Sequence, residues 1–102
     1  MVIEANTTLT ADHLGKLLWV DTDYDITITV PDWYVDGDIP GGSELEIYHH
    51  GLGALYVQAD SNTYLIFDGR TAAARKLMIP RYGLIGMKNF WQSWKVSGEA
   101  TG

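Results

Sequence analysis

Asp21, Asp23 and Asp25 stand at alternate positions, with Asp32 eleven residues after the first. That is the oxygen-rich spacing of the first half of a calcium loop, which needs a glycine for its sharp turn at the position where this chain has Ile26. Residues 21–25 therefore read as a solvated acidic turn between two strands. His49 and His50 are adjacent, and neighbours in an extended chain point to opposite faces, so they cannot hold one metal ion without a bulge. One reads as facing the interior and the other solvent. His13 lies far off, and none of the three has a second ligand at metal-binding spacing. The serines, Ser43, Ser61, Ser93 and Ser97, sit in no nucleophile motif, and there is no phosphate-binding glycine loop. No catalytic residue, metal or cofactor is expected.

The aromatic residues carry more information. There are twelve, four of them Trp. Trp19, Tyr56, Phe67, Phe90 and Trp94 lie in or beside strand patterns and read as core or cross-strand packing. Tyr24, Trp33 and Tyr34 lie instead in turn-rich stretches beside Asp23, Asp25, Asp32, Asp36 and Asp38. Aromatic rings flanked by carboxylates anchor protein interfaces, and they also stack on sugar rings and bond their hydroxyls. Tyr24, Trp33, Tyr34, Asp32 and Asp36 form the candidate glycan or interface group, with the interface reading first.

Charge is sorted along the chain. Residues 1–69 hold twelve acidic residues against the single base Lys16, whereas residues 70–102 hold six bases against Glu99, within a net charge of −6. A monomer can scatter these charges as weak surface pairs. Alternatively, an acidic patch on one molecule meets a basic patch on another, and Arg70, Arg75, Lys76 and Arg81 are the candidate basic interface residues. Val2 and Ile3 are apolar without an evident place in a core, so residues 1–8 read as an arm reaching a neighbour. The acidic balance disfavours nucleic acid as a partner. No apolar run approaches the roughly 18 residues that span a membrane, and no signal peptide is visible. With no Cys, stability must come from packing or association.

The elements that position these residues read as strands. Ile26, Ile28 and Val30 alternate with Thr27 and Thr29 before Pro31; Leu45 and Ile47 alternate with Glu44, Glu46 and Tyr48; Leu55, Val57 and Ala59 alternate with Tyr56 and Gln58. The glycine-containing turn Gly51-Leu52-Gly53 between the last two suggests a hairpin. Further strands are expected at 16–20, 64–67, 76–79, 84–88 and 91–97, about eight in all. Thr10 can cap one helical turn that Gly15 ends. The expected fold is a single all-β domain over residues 1–102, an antiparallel β-sandwich or small β-barrel with one short N-terminal helical turn.

Several fragments then fall into an order: Thr8-Leu9-Thr10-Ala11-Asp12, Gly15-Lys16-Leu17, residues 26–31, Ile39-Pro40-Gly41-Gly42-Ser43, Leu45 and Ile47, Gly51-Leu52-Gly53 with Leu55 and Val57, and Trp94-Lys95-Val96-Ser97-Gly98. In that order they resemble a small β-rich module of tailed-bacteriophage virion proteins, found at the ends of tail fibres and as free-standing head or tail components. The chain departs from it at His49-His50, where a glutamine-like residue is expected, and in its heavier acidic stretch 21–38. The resemblance implies a non-enzymatic structural protein of the virion, assembled in the host cytoplasm. It implies a capsid decoration or cement protein binding between major capsid subunits, partnered by the major capsid protein or tail proteins and by its own copies as a trimer or dimer. A tail-fibre or adhesin module binding host surface glycan is the alternative.

Overall fold

Period-two alternation becomes strands whose apolar residues face inward. The computed structural model describes residues 1–31, 42–60, 63–67, 75–90 and 93–101. Among them are β1 (Val2–Ile3), β2 (Thr7–Thr8), β3 (Leu17–Val20), β4 (Ile26–Val30), β5 (Glu44–His49), β6 (Leu55–Ala59), β7 (Tyr64–Phe67), β8 (Lys76–Ile79), β9 (Leu84–Phe90) and β10 (Ser93–Gly98). The expected helical turn is a 3-10 turn at Ala11–His13. The Asp12 N–H donates to Thr10 Oγ1 at 3.3 Å and the Thr10 N–H to His13 Nδ1 at 2.9 Å. Gly15 follows at φ 74°, the left-handed conformation glycine adopts without a steric penalty.

The strands form two sheets, a six-stranded one in the order β1-β3-β5-β9-β10-β7 and a four-stranded one in the order β2-β4-β6-β8. They are packed as an all-β sandwich, with the inner side chains of both sheets in one core. Its centre includes Trp94, Leu18, Ile28, Ile47, Leu55 and Ile85, all fully buried.

The pairing is not the antiparallel one expected. β1 with β3, β3 with β5, β2 with β4, β4 with β6 and β7 with β10 are parallel; only β5 with β9, β9 with β10 and β6 with β8 are antiparallel. From β1 to β9 each strand enters the sheet opposite to the one before. A strand of the other sheet thus serves as the crossover that parallel neighbours require, and the first six strands wind as a coil. Gly51-Leu52-Gly53 accordingly closes no hairpin, since β5 and β6 lie in different sheets.

That turn is a corner stacked on the corner at 21–25. The Gly53 N–H donates to Thr22 O at 3.0 Å, the Ile26 N–H to Ala54 O at 2.8 Å and the Ala54 N–H to Asp25 Oδ1 at 2.9 Å. A Cβ on Gly51 or Gly53 would collide with the backbone of Thr22 or Tyr24, so glycine there marks close approach of two backbones. The N-terminal residues form the layer before. Ile3 is buried in the core, and Asn6 Oδ1 accepts the Thr27 N–H at 2.8 Å. Residues 1–8 do not project as an arm from the domain: β1 pairs with β3, β2 with β4, and Ile3 packs in the core.

Candidate functional site

The outer face of the six-stranded sheet is read row by row from its register. One row runs Val2, Trp19, Tyr48, Leu84; the next Leu17, Glu46, Gly86, Ser97; the next Glu44, Lys88, Lys95, Ile66; the last Phe90, Ser93, Tyr64. The first row is apolar although it faces outward: Val2 is 62% exposed, Trp19 37% and Leu84 41%. The Trp19 ring lies 4.9 Å from Tyr48 and 4.9 Å from His50, and His50 meets the edge of Tyr82 at 5.7 Å. Tyr82 is 55% exposed. Contiguous apolar surface of this kind on a water-facing sheet marks a site of association.

The turn before β9 builds one end of this patch. Tyr82 stands at φ 67°, a conformation that costs a residue with a Cβ about 1–2 kcal/mol. Its N–H donates to His49 O at 2.6 Å and the Gly83 N–H closes the turn onto Pro80 O at 2.9 Å. Arg81 donates from Nε to His50 O at 3.2 Å and lays its guanidinium 4.6 Å over the Tyr82 ring. Beneath the patch His49 is buried, with Nδ1 2.8 Å from Ile79 O and Nε2 2.7 Å from Gly53 O, so it ties β5 to β8 and to the glycine corner. His49 inward and His50 partly exposed is the division expected of adjacent strand residues.

Beside the apolar row lies a groove of about 550 Å³. Gly86 and Ser97 form part of its lining, with Leu17, Glu46, Lys88 and Lys95 around them. Glu44 and Lys88 form an ion pair across β5 and β9 at 3.2 Å, both side chains well exposed.

The structure distributes the residues singled out in the sequence. Val2 joins the apolar row, and Ile3 is in the core. The bases are separately engaged: Arg75 donates to Asp60 O at 2.8 Å and Thr63 O at 2.9 Å and lies over Tyr64, Lys76 lies over Tyr56, and Arg81 belongs to the aromatic patch. Arg70 lies outside the described residues, as do Trp33, Tyr34, Asp32 and Asp36. Tyr24 is exposed, and its hydroxyl donates to Glu4 O in the adjoining corner. Of the neighbouring acids, Asp25 accepts the corner hydrogen bond from Ala54.

Trp19, Tyr48, His50, Tyr82 and Leu84 were not marked as a site by sequence reasoning. The available signal was in β3, where Leu17, Leu18, Trp19 and Val20 are all apolar although only Leu18 and Val20 point inward. In comparisons with known proteins, no family model, curated protein or solved structure matches the chain significantly.

Proposed function

We propose that this chain is a non-enzymatic structural protein of a tailed-bacteriophage virion, a capsid decoration or cement protein that binds between major capsid subunits. The observation that carries the reading is the exposed row Val2, Trp19, Tyr48 and Leu84, extended by His50 and Tyr82 across the outer face of the six-stranded sheet. A sheet face of this composition gains by being covered, and hot spots of association are enriched in Trp, Tyr and Arg. The ordered fragments from Thr8 to Gly98 that resemble the phage module add the virion as the setting.

The docking face is therefore the aromatic patch with Val2 and Arg81, while Arg75 and Lys76 stay with their own tyrosines. Co-sedimentation with purified phage heads tests this. The chain is expected to pellet with heads, and Trp19→Ala to weaken binding by about 2 kcal/mol, roughly thirtyfold, as for loss of an interface anchor. A chain left in the supernatant, or a Trp19→Ala variant that binds as well as the parent, contradicts the reading. Binding to a glycan array in place of heads supports the tail-fibre alternative.

A further inference from the structure

We propose that two copies of this chain pair face to face through the outer surface of the six-stranded sheet, related by a two-fold axis running along the strands between β5 and β9. The inference rests on the reading that this face is covered on assembly: a second copy covers it in the free protein, so that pairing and docking on heads compete for the same surface.

The argument comes from register. β5 and β9 pair Glu44 with Lys88, Glu46 with Gly86 and Tyr48 with Leu84 on the outer face. Rotation about an axis parallel to these strands lays β5 of the second copy over β9 of the first at the same height, so the two members of each cross-strand pair change places. Glu44 of each copy then faces Lys88 of the other, and the exposed ion pair becomes a square of alternating charges. Tyr48 of each copy lies over Leu84 of the other, continuing the apolar row. Glu46, the outward residue of the middle row on β5, lies over Gly86, which has no side chain, on β9.

Gly86 is central to this fit. Only Ser97 Oγ, at 3.5 Å, lies near the position a Cβ would take there, and the conformation is ordinary strand. Nothing among the described residues demands glycine at this position, unlike Gly51 and Gly53. A glycine in the middle of a sheet marks close approach of another group, and here that group is Glu46 of the second copy. The perpendicular two-fold in the same plane, centred on the middle row, would set Glu46 against Glu46, so charge selects one orientation.

Six strands about 4.8 Å apart and four rows about 7 Å apart span roughly 600 Å² per copy. That area lies toward the lower end for specific pairs, so the dimer is expected to be weak and concentration-dependent.

Sedimentation velocity of the full chain from micromolar to millimolar concentration, with variants, tests the pairing. The parent is expected to dimerise. Gly86→Val is expected to stay monomeric with its melting temperature unchanged or raised, because valine suits a strand. Glu44→Lys and Lys88→Glu should each associate about tenfold or more weakly, and an equimolar mixture of the two should recover the affinity, since charges opposed in each homodimer attract in the heterodimer. A parent that stays monomeric throughout, a Gly86→Val variant that dimerises like the parent, or a mixture no tighter than its components would overturn the pairing. The two readings separate cleanly: a monomer that pellets with phage heads defeats only the dimer, and a dimer that ignores heads defeats only the virion assignment.

Discussion

Tyr82 holds a left-handed conformation that an isolated residue with a Cβ avoids, and the turn around it fixes that conformation through hydrogen bonds to His49 and Pro80. Backbone strain of this kind is retained where it places a side chain, and here it sets the Tyr82 ring against His50 and under Arg81. Tyr82→Asn separates the two roles, because asparagine tolerates positive φ. Unfolding free energy should change by no more than about 1 kcal/mol, while co-sedimentation with phage heads falls. A large loss of stability with binding intact would make Tyr82 a structural residue only. At this scale the sequence was partly legible. The His49 and His50 split follows from strand geometry alone, and the core position of Trp94 from its strand. The exposed position of Trp19 did not follow, because an aromatic residue in an apolar strand is ordinarily buried, and only the sheet order reveals that no layer of the described residues covers its face.

The strands themselves were legible, since alternation of apolar and polar residues depends on neighbours two positions apart. All eight expected strands are present, with residue 16 outside the observed β3 and residues 91–92 of the last outside the described residues. The pairing was not legible. A glycine-rich turn between two alternating runs is compatible with a hairpin and equally with a corner that leads into the opposite sheet. The difference lies in the backbone of Thr22 and Tyr24, nearly thirty residues away, against which Gly51 and Gly53 pack. Two substitutions make that difference measurable by urea unfolding. Gly53→Ala should lose more than about 3 kcal/mol, because a methyl group has no space against the Tyr24 carbonyl. Gly15→Ala, with open space around it and only its φ of 74° to oppose it, should lose about 1–2 kcal/mol. Equal costs would contradict the stacked-corner account of β5 and β6.

Across the whole molecule, winding converts a segregated sequence into a mixed surface. The described bases of the last third have separate partners: Lys88 meets Glu44, Arg75 turns to the carbonyls of Asp60 and Thr63, and Arg81 joins the aromatic patch. The two outer faces differ accordingly. The four-stranded sheet presents Thr27, Thr29, Tyr56, Gln58 and Met78, whereas the six-stranded sheet presents the apolar row and the groove beside it. Hydroxyl-radical footprinting compares these faces directly, in dilute chain and in the assembled state, both as concentrated protein and on phage heads. Trp19, Tyr82 and Leu84 should become protected on assembly while Met78, exposed on the opposite face, keeps its reactivity. Protection of Met78 with Trp19 and Tyr82 unchanged would contradict the assignment of the six-stranded sheet as the face of association.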